Sequence, residues 1–428
     1  MKLLLLLLCL LFKSSAAKEL TIHEAIETAK KHRPNLQALE YKIREEKLKV
    51  KEAWSGYLPQ LQLVTNYTYG NSANSAANPA VPVGGVTTGI QAQQLIYQFG
   101  GPQQQAKIAQ AGVNIALFNK TTQEAAVAYE VTKTFIDCWV LQQQEALFKQ
   151  LETSSRRLFN KAKQERNAAL VDKQDFLGSV ETRAFAHEQV AGFQQDAIVA
   201  QAQLKFLLGY KQPITLLGSA LEKRTTLAFV PLKPTAQGLL PSSTEFVSKA
   251  LKNRPEIKQM DHRIDLERQT VKLEKVSTAP RLSLTGNAYH VGALPPAYRG
   301  QFEGGISLSW PILDGGRTHY RQQEADARMT AAMLQKEQLT QEITLQVEQA
   351  YHLLSRSTYT YQAQQIALQR AESLFSRKER ELRLGIITPT ALEEARTTLL
   401  QTKNRWILAQ ADIAQKIALL NYRCGEIA

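Results

Sequence analysis

Hydrophobic and polar positions follow two distinct rhythms along this chain. Leu61, Leu63, Thr65, Tyr67 and Tyr69 alternate with Gln62, Asn66 and Thr68, the two-residue period of a β-strand with one apolar face. Phe302, Gly304, Ile306, Leu308, Trp310 and Ile312 alternate with Glu303, Ser307 and Ser309 in the same way. Elsewhere the period is helical. From Gln103 to about Ala168, and from Thr318 to about Leu384, there is no proline and almost no glycine. At about 1.5 Å per residue each of these helices runs on the order of 100 Å, far more than a globular core needs. Ile343, Val347, Ala350 and Leu354 step by four, three and four, and Leu392, Leu399, Trp406, Ile413 and Leu420 recur every seventh residue. That is the spacing of helices packed along a seam. The corresponding seam upstream reads Phe176, Arg183, Val190, Ala197 and Leu204, with Arg183 breaking the apolar run.

The two rhythms occur in the same order twice, and a long-period repeat fixes architecture. Lys31-His32-Arg33-Pro34 matches Lys252-Asn253-Arg254-Pro255, and Leu58-Pro59-Gln60-Leu61 matches Ala279-Pro280-Arg281-Leu282, both 221 residues apart. Tyr97-Gln98-Phe99-Gly100-Gly101 aligns with Ile312-Leu313-Asp314-Gly315-Gly316 at 215, and Phe135 with Tyr351 and Leu170 with Ile386 at 216. The first repeat then covers 18–210, with strands near 57–70 and 86–99 around a polar loop from Gly70 to Gly85, and long helices near 102–168 and 171–208. A linker at 211–242 leads to the second repeat at 243–428, with strands near 281–291 and 301–313 and long helices near 317–384 and 388–422. Four strands are too few to close a barrel alone.

Lys2, the leucine run Leu3–Leu11 and the small residues Ser14 to Ala17 read as a signal peptide over 1–17, with cleavage after Ala17. No later stretch reaches the eighteen or so apolar residues of a membrane-spanning helix, which leaves an exported soluble protein or a β-barrel. The chain carries a net charge of +13, or +11 once Lys2 and Lys13 leave with the peptide. Its Lys and Arg are scattered among Glu and Gln on helices, which argues for solvated faces and against nucleic acid as a partner. The seven histidines form no i, i+4 pair and none neighbours a cysteine, so no metal site is read, and there is neither a phosphate loop nor a nucleophile elbow. No cofactor and no enzymatic chemistry are expected. Cys138 and Cys424 are too few for a disulfide framework; a bridge between them is geometrically conceivable, and burial as two small helix residues is the alternative.

Two stretches carry a family resemblance. Ser307-Leu308-Ser309-Trp310-Pro311-Ile312-Leu313-Asp314-Gly315-Gly316-Arg317, and Leu384-Gly385-Ile386-Ile387-Thr388-Pro389-Thr390-Ala391-Leu392, resemble the strand-to-helix signature and the far helix turn of TolC-type outer-membrane efflux proteins. Together with the duplication and the signal peptide, the resemblance spans the mature chain. It implies a mainly α fold with membrane β: a homotrimer in which each duplicated β-β-α-α protomer gives four strands to a twelve-stranded β-barrel, continued by an α-helical barrel in the periplasm. Tyr57, Tyr67, Tyr97, Phe99, Tyr289, Tyr298 and Trp310 then suit an interfacial aromatic girdle, or simply reflect strand propensity.

The same resemblance implies an exit duct in the Gram-negative outer membrane, in contact with outer-membrane lipid, passive, and served by an inner-membrane transporter and a periplasmic adaptor in efflux or type I secretion. A secreted coiled-coil scaffold or adhesin is the competing class. Around the two helix turns the resemblance places acidic positions at Asp175 and Glu394, with Ala391 at another, and gate arginine and tyrosine positions at Ile387 and Leu382. A threefold ring of carboxylates there attracts cations. Arg377, Arg380 and Arg383 either partner those carboxylates or are solvated at a helix C-terminus. Leu384-Gly385-Ile386, and more loosely Ala169-Leu170-Val171, resemble the apolar tip that meets the adaptor, or are tight turns with small apolar contacts.

Overall fold

The structure, a computed structural model, describes residues 19–72, 81–168, 172–209, 215–216, 241–293 and 298–426. A two-residue strand β1 (Glu19–Leu20) leads into α1 (Ile22–His32) and α2 (Pro34–Ser55), strands β2 (Gln60–Ser72) and β3 (Val81–Tyr97), and helices α3 (Gly101–Asn167) and α4 (Lys173–Leu208). The short strand β4 (Thr215–Leu216) lies in parallel beside β1. The series then recurs as α5 (Ser243–Asn253), α6 (Pro255–Val276), β5 (Arg281–Ala293), β6 (Tyr298–Ser309), α7 (Arg317–Arg383) and α8 (Pro389–Cys424). Matched helices are equal in length: α1 and α5 have 11 residues, α2 and α6 have 22, α3 and α7 have 67, and α4 and α8 have 36. None of the described helices is both long and apolar enough to cross a membrane.

Local chemistry sets the boundaries. Thr21 and Glu24 form a reciprocal capping box at the start of α1. Arg33 and Arg254 take extended backbone because each precedes a proline, and so α1 and α5 stop there. Gly209 and Gly425 end α4 and α8 in the left-handed conformation, and each sits against the corresponding Arg-Pro joint, Gly209 against His32 and Gly425 against Asn253 and Arg254. Across that joint Arg33 donates to Glu130 at 2.8 Å, while its counterpart Arg254, almost fully buried, donates to Gln346 at 3.1 Å.

The chain divides into two compact units. One comprises Ala38–Lys120 and Pro255–Leu339 and holds an antiparallel sheet in the order β2-β3-β5-β6. There α2 and α6 are tied to the starts of α3 and α7 by Lys120–Glu40 at 2.7 Å and Lys336–Asp261 at 2.6 Å. The other comprises Met1–Gln37, Thr121–Arg254 and Thr340–Ala428 and carries the rest of the long helices. In it α3 faces α4 through Phe148 and Phe193, with ring centroids 5.0 Å apart, and faces α8 through Asp137–Gln415 at 2.6 Å and Gln144–Asn404 at 3.0 Å. Helix α7 meets α8 through Ser357–Asp412 and Tyr361–Trp406. The core comprises Val127, Val131, Phe135 and Ile136 of α3, Ile343, Val347, Ala350 and Leu354 of α7, and Leu204 and Leu420.

Four readings from sequence change. Strand pairing runs through Gly70–Ser72 and Val81–Gly85, within the span read as loop, because backbone ladder bonds do not depend on side-chain alternation; 73–80 lie outside the described residues. On α8 Leu420 of the heptad is buried, but Leu392, Leu399, Trp406 and Ile413 are only half-buried, and Leu400, Ile407, Ala411 and Ala418 beside them are buried instead, because this helix serves both α3 and α7. The strand-to-helix turns align at 216, not 215. Phe99 and Gly100 carry the positive φ values (38° and 85°) that Gly315 and Gly316 carry (68° and 83°), and Asp314 has Gln98 as its counterpart. Cys138 and Cys424 are both free and buried. Burial pushes the Cys138 thiol up to about 12 and the Cys424 thiol to about 11, from an ordinary value of 9.0.

Because folding raises both thiol pKa values, their contribution to stability is complete below the unfolded value and is lost as pH climbs through the folded ones. Native protein at about pH 8 is expected to resist alkylation until unfolded, with equal gel mobility reduced and unreduced. The loss of stability between about pH 9 and 12 is expected to be shallower in Cys138→Ala/Cys424→Ala; rapid labelling of native protein at about pH 8 would contradict this.

Candidate functional site

The sheet is two-sided in composition. In register across its strands, Leu63, Ile90, Ala288 and Phe302 lie on one face, followed by Leu61, Ala92, Gly286 and Gly304 and then by Leu284 with Ile306. The opposite face carries Gln62, Gln91, Asn287 and Glu303 in one row and Gln60, Gln93 and Thr285 in the next. Leu61, Leu63, Tyr67, Phe302, Ile306 and Leu308 are largely exposed, so nothing among the described residues covers the apolar face. The outer edges of β2 and β6 pair with no other described strand. Tyr289, grouped from sequence with a possible girdle, lies on the polar face and donates to Glu303 at 3.0 Å. Trp54 stacks on Tyr57, and Tyr97 meets Phe99 edge to face at 4.9 Å, next to the strand ends. Gly89 is constrained by the same sheet, since a Cβ there would stand 2.4 Å from that of Tyr289.

Below β6, Asp314 organises the turn into α7. Its carboxylate accepts from the Gly316 amide at 3.0 Å and the Thr318 amide at 2.9 Å, and also from the Thr318 hydroxyl. These bonds, that of the Thr318 hydroxyl foremost, hold its pKa below the usual carboxylate range. The motif is therefore a helix cap followed by two left-handed glycines.

The far helix turns carry the other sequence candidates. At the α7–α8 turn, Gly385 adopts φ 71°, its amide bonds Leu382 O at 3.0 Å, and the Ile386 amide reaches back to Glu381 O at 2.9 Å. This is a Schellman termination. Thr388 then caps α8 by accepting from the Ala391 amide, with Pro389 as the first helical residue. Leu384 and Ile386 stand 73% and 68% exposed on either side of Gly385, while Leu382 and Ile387 are half-buried. Ala169, Leu170 and Val171 lie outside the described residues. Asp175, in the first turn of α4, and Glu394 are exposed, as are Arg380 and Arg383, and none of the four makes an ion pair among the described residues. Arg377 does not reach Asp175 or Glu394; it holds Glu381 at 2.8 Å, with Lys378 on the other oxygen at 3.0 Å. Lys378 foremost and Arg377 next lower the Glu381 pKa.

Two arrangements here were not read from sequence. In α8, Glu393 accepts from Ser154 of α3, and Arg396 bonds Glu393 at 3.2 Å while lying over the Phe375 ring. Ser154, Phe375 and Arg396 line a groove of about 530 Å³ with Lys149, Arg157, Leu399 and Leu400. In the other hairpin Arg166 lies 4.5 Å over Phe176 and Arg183 4.6 Å over Phe159, with the two rings 5.8 Å apart. At the 216-residue offset the same four positions hold Leu382, Leu392, Leu399 and Phe375. The interruption that Arg183 makes in the heptad was the available signal, and its resolution is a cation–π contact. Among the described residues no group of three or more His, Cys, Asp or Glu is placed to hold a metal.

A profile of the family described as outer membrane efflux protein matches residues 25–210 and 246–422. The alkaline protease secretion protein AprF of Pseudomonas aeruginosa is 24% identical over 306 residues, covering 67% of this chain and 62% of that protein. The chain thus matches somewhat less than two thirds of that relative's length. A crystal structure of CusC, described in terms of folding and transmembrane channel formation, superposes with a TM-score of 0.75 at 14% identity, over 96% of this chain and 93% of that one. The Campylobacter jejuni CmeC outer membrane channel gives 0.74 at 14% identity, over 95% and 85%. At such identities the likeness establishes the fold.

Gly385 and Gly425 share a left-handed backbone, but a Cβ at Gly385 meets nothing within 4 Å, whereas one at Gly425 comes 3.2 Å from the Arg254 nitrogen. Gly385→Ala is expected to cost about 1 kcal/mol and Gly385→Asn less, with Gly425→Ala costing more than either. Denaturant unfolding ranks the three, and a Gly385→Ala cost as large as that of Gly425→Ala would refute the assignment.

Proposed function

The chain belongs to the outer membrane efflux protein family, and from that premise we propose that it is a passive exit duct in the outer membrane of a Gram-negative bacterium. Three copies close their four-stranded sheets edge to edge into one twelve-stranded barrel, and their long helices continue the conduit in the periplasm. The observation that carries this reading is the sheet itself: an uncovered apolar face, a face of Gln, Asn, Ser and Thr, and two unpaired edges. Lipid suits the first and a water-filled lumen the second, while the edges have to be paired by another copy because unsatisfied backbone groups in hydrocarbon cost several kcal/mol each, a figure of order of magnitude. Exposed Ile198, Val199 and Phe206 on α4 and Leu345, Tyr359 and Ile366 on α7 supply apolar surface for the same association.

On this reading the signal peptide is removed after Ala17, and the conduit does no bond chemistry, so an inner-membrane transporter supplies energy and a periplasmic adaptor joins the two. The exposed pair Leu384 and Ile386 around Gly385 is the proposed adaptor contact, with Ala169, Leu170 and Val171 its counterpart. Asp175, Glu394 and Arg383 ring the narrow end. Because Leu382 and Ile387 are apolar, the closed state there relies on packing more than on a polar latch.

Protein extracted in detergent is expected to run as a trimer and to give discrete conductance steps in a planar bilayer. A folded trimer that never conducts would point to a scaffold or adhesin, and a stable monomer would remove the shared barrel.

A further inference from the structure

Resting on the conduit reading, we propose that the helical tips form an electropositive mouth that admits anionic solutes in preference to cations, with Arg380 and Arg383 setting that preference. The segments 156–183 and 370–396 contain thirteen Lys and Arg against nine Asp and Glu, an excess of four positive charges per chain and of twelve around a threefold axis. The side-chain contacts sharpen that imbalance. Glu381 is held by two cations at once, and Glu393 is taken up by Ser154 and Arg396. Among the described residues Arg166 and Arg183 meet no carboxylate; they rest on the faces of Phe176 and Phe159, contacts that fix a guanidinium in place without cancelling its charge. Arg380 and Arg383, three residues apart and both exposed, have no acidic partner among the described residues. Against them stand the carboxylates of Asp175 and Glu394 and of Glu372, Glu379 and Glu181, without an ion pair among the described residues and outnumbered by the cations of the same segments that are likewise unpaired there or ring-bound.

Placed in a ring at the narrow end of a low-dielectric tube, like charges concentrate potential across the opening and raise the local concentration of counter-ions. At physiological salt the screening length is about 8 Å, so charges on neighbouring tip turns act together while remote parts of the chain do not. The sign expected here is the reverse of that implied by reading Asp175 and Glu394 alone as an acidic ring.

The test is the reversal potential of the full-length trimer in a planar bilayer under a KCl gradient. Wild type is expected to pass chloride more readily than potassium, with the preference growing as the salt is diluted. Arg380→Gln/Arg383→Gln is expected to lower the chloride-to-potassium ratio by about twofold or more, and Asp175→Asn/Glu394→Gln to raise it. All four residues are exposed and outside the packed core, so the yield and thermal stability of the detergent-extracted trimer serve as the folding control. A cation-preferring wild type, or a ratio unmoved by the double arginine variant, overturns the proposal while leaving the conduit intact. A folded trimer without any conductance removes the conduit reading, and the proposal with it.

Discussion

A β-sheet edge left open in hydrocarbon is the constraint from which the rest of this molecule follows. Four strands give two such edges, on β2 and β6, and a sheet whose exposed face is apolar. Neither can be remedied within one chain, because the strands are too few to curl into a closed cylinder. On the conduit reading association is part of the fold rather than an addition to it, and the duplication supplies the economy: one hairpin and one helical pair, written twice, would present matching edges to the next copy. The long helices obey the same logic. Their exposed apolar side chains have no role in an isolated chain but are ordinary for a surface awaiting a neighbour.

Much of this was legible in the sequence because the punctuation is strong. Prolines at 34, 59, 255, 280 and 389 and glycines at 209, 385 and 425 mark boundaries that the backbone confirms through extended, capped or left-handed residues. The proline-free spans could only be long helices. What sequence misplaced was local. The Gly-Gly turn aligned by residue identity at 215, but backbone conformation aligns it at 216, since Phe99 adopts a geometry that its counterpart Gly315 adopts without steric cost. The heptad on α8 was real, yet a helix between two neighbours buries a wider stripe than a single seam. Tyr289, which sequence left between a girdle and ordinary strand propensity, lies on the polar face, as its parity with Asn287 along β5 requires.

The tips were the least legible part, and the reason is electrostatic. Which carboxylate meets which cation depends on rotamers and helix phase that no spacing rule resolves beyond i, i+3 and i, i+4. Arg377 and Glu381 fall within that rule; the Ser154–Glu393–Arg396 group, across 239 residues, does not. Similarly, an arginine in an apolar heptad reads as a flaw until the Phe159 ring beneath it is seen.

The Arg-Pro joints show what duplication leaves behind. In the first half a guanidinium meets a carboxylate, Glu130; in the second the same guanidinium meets a carboxamide, Gln346, which also accepts from Arg423 at 2.7 Å. Positions 130 and 346, matched at the 216-residue offset, thus set an acid and its amide side by side within one chain. What the two halves share at the joint is a side-chain oxygen within reach of the guanidinium, carried by an acid in one and by an amide in the other.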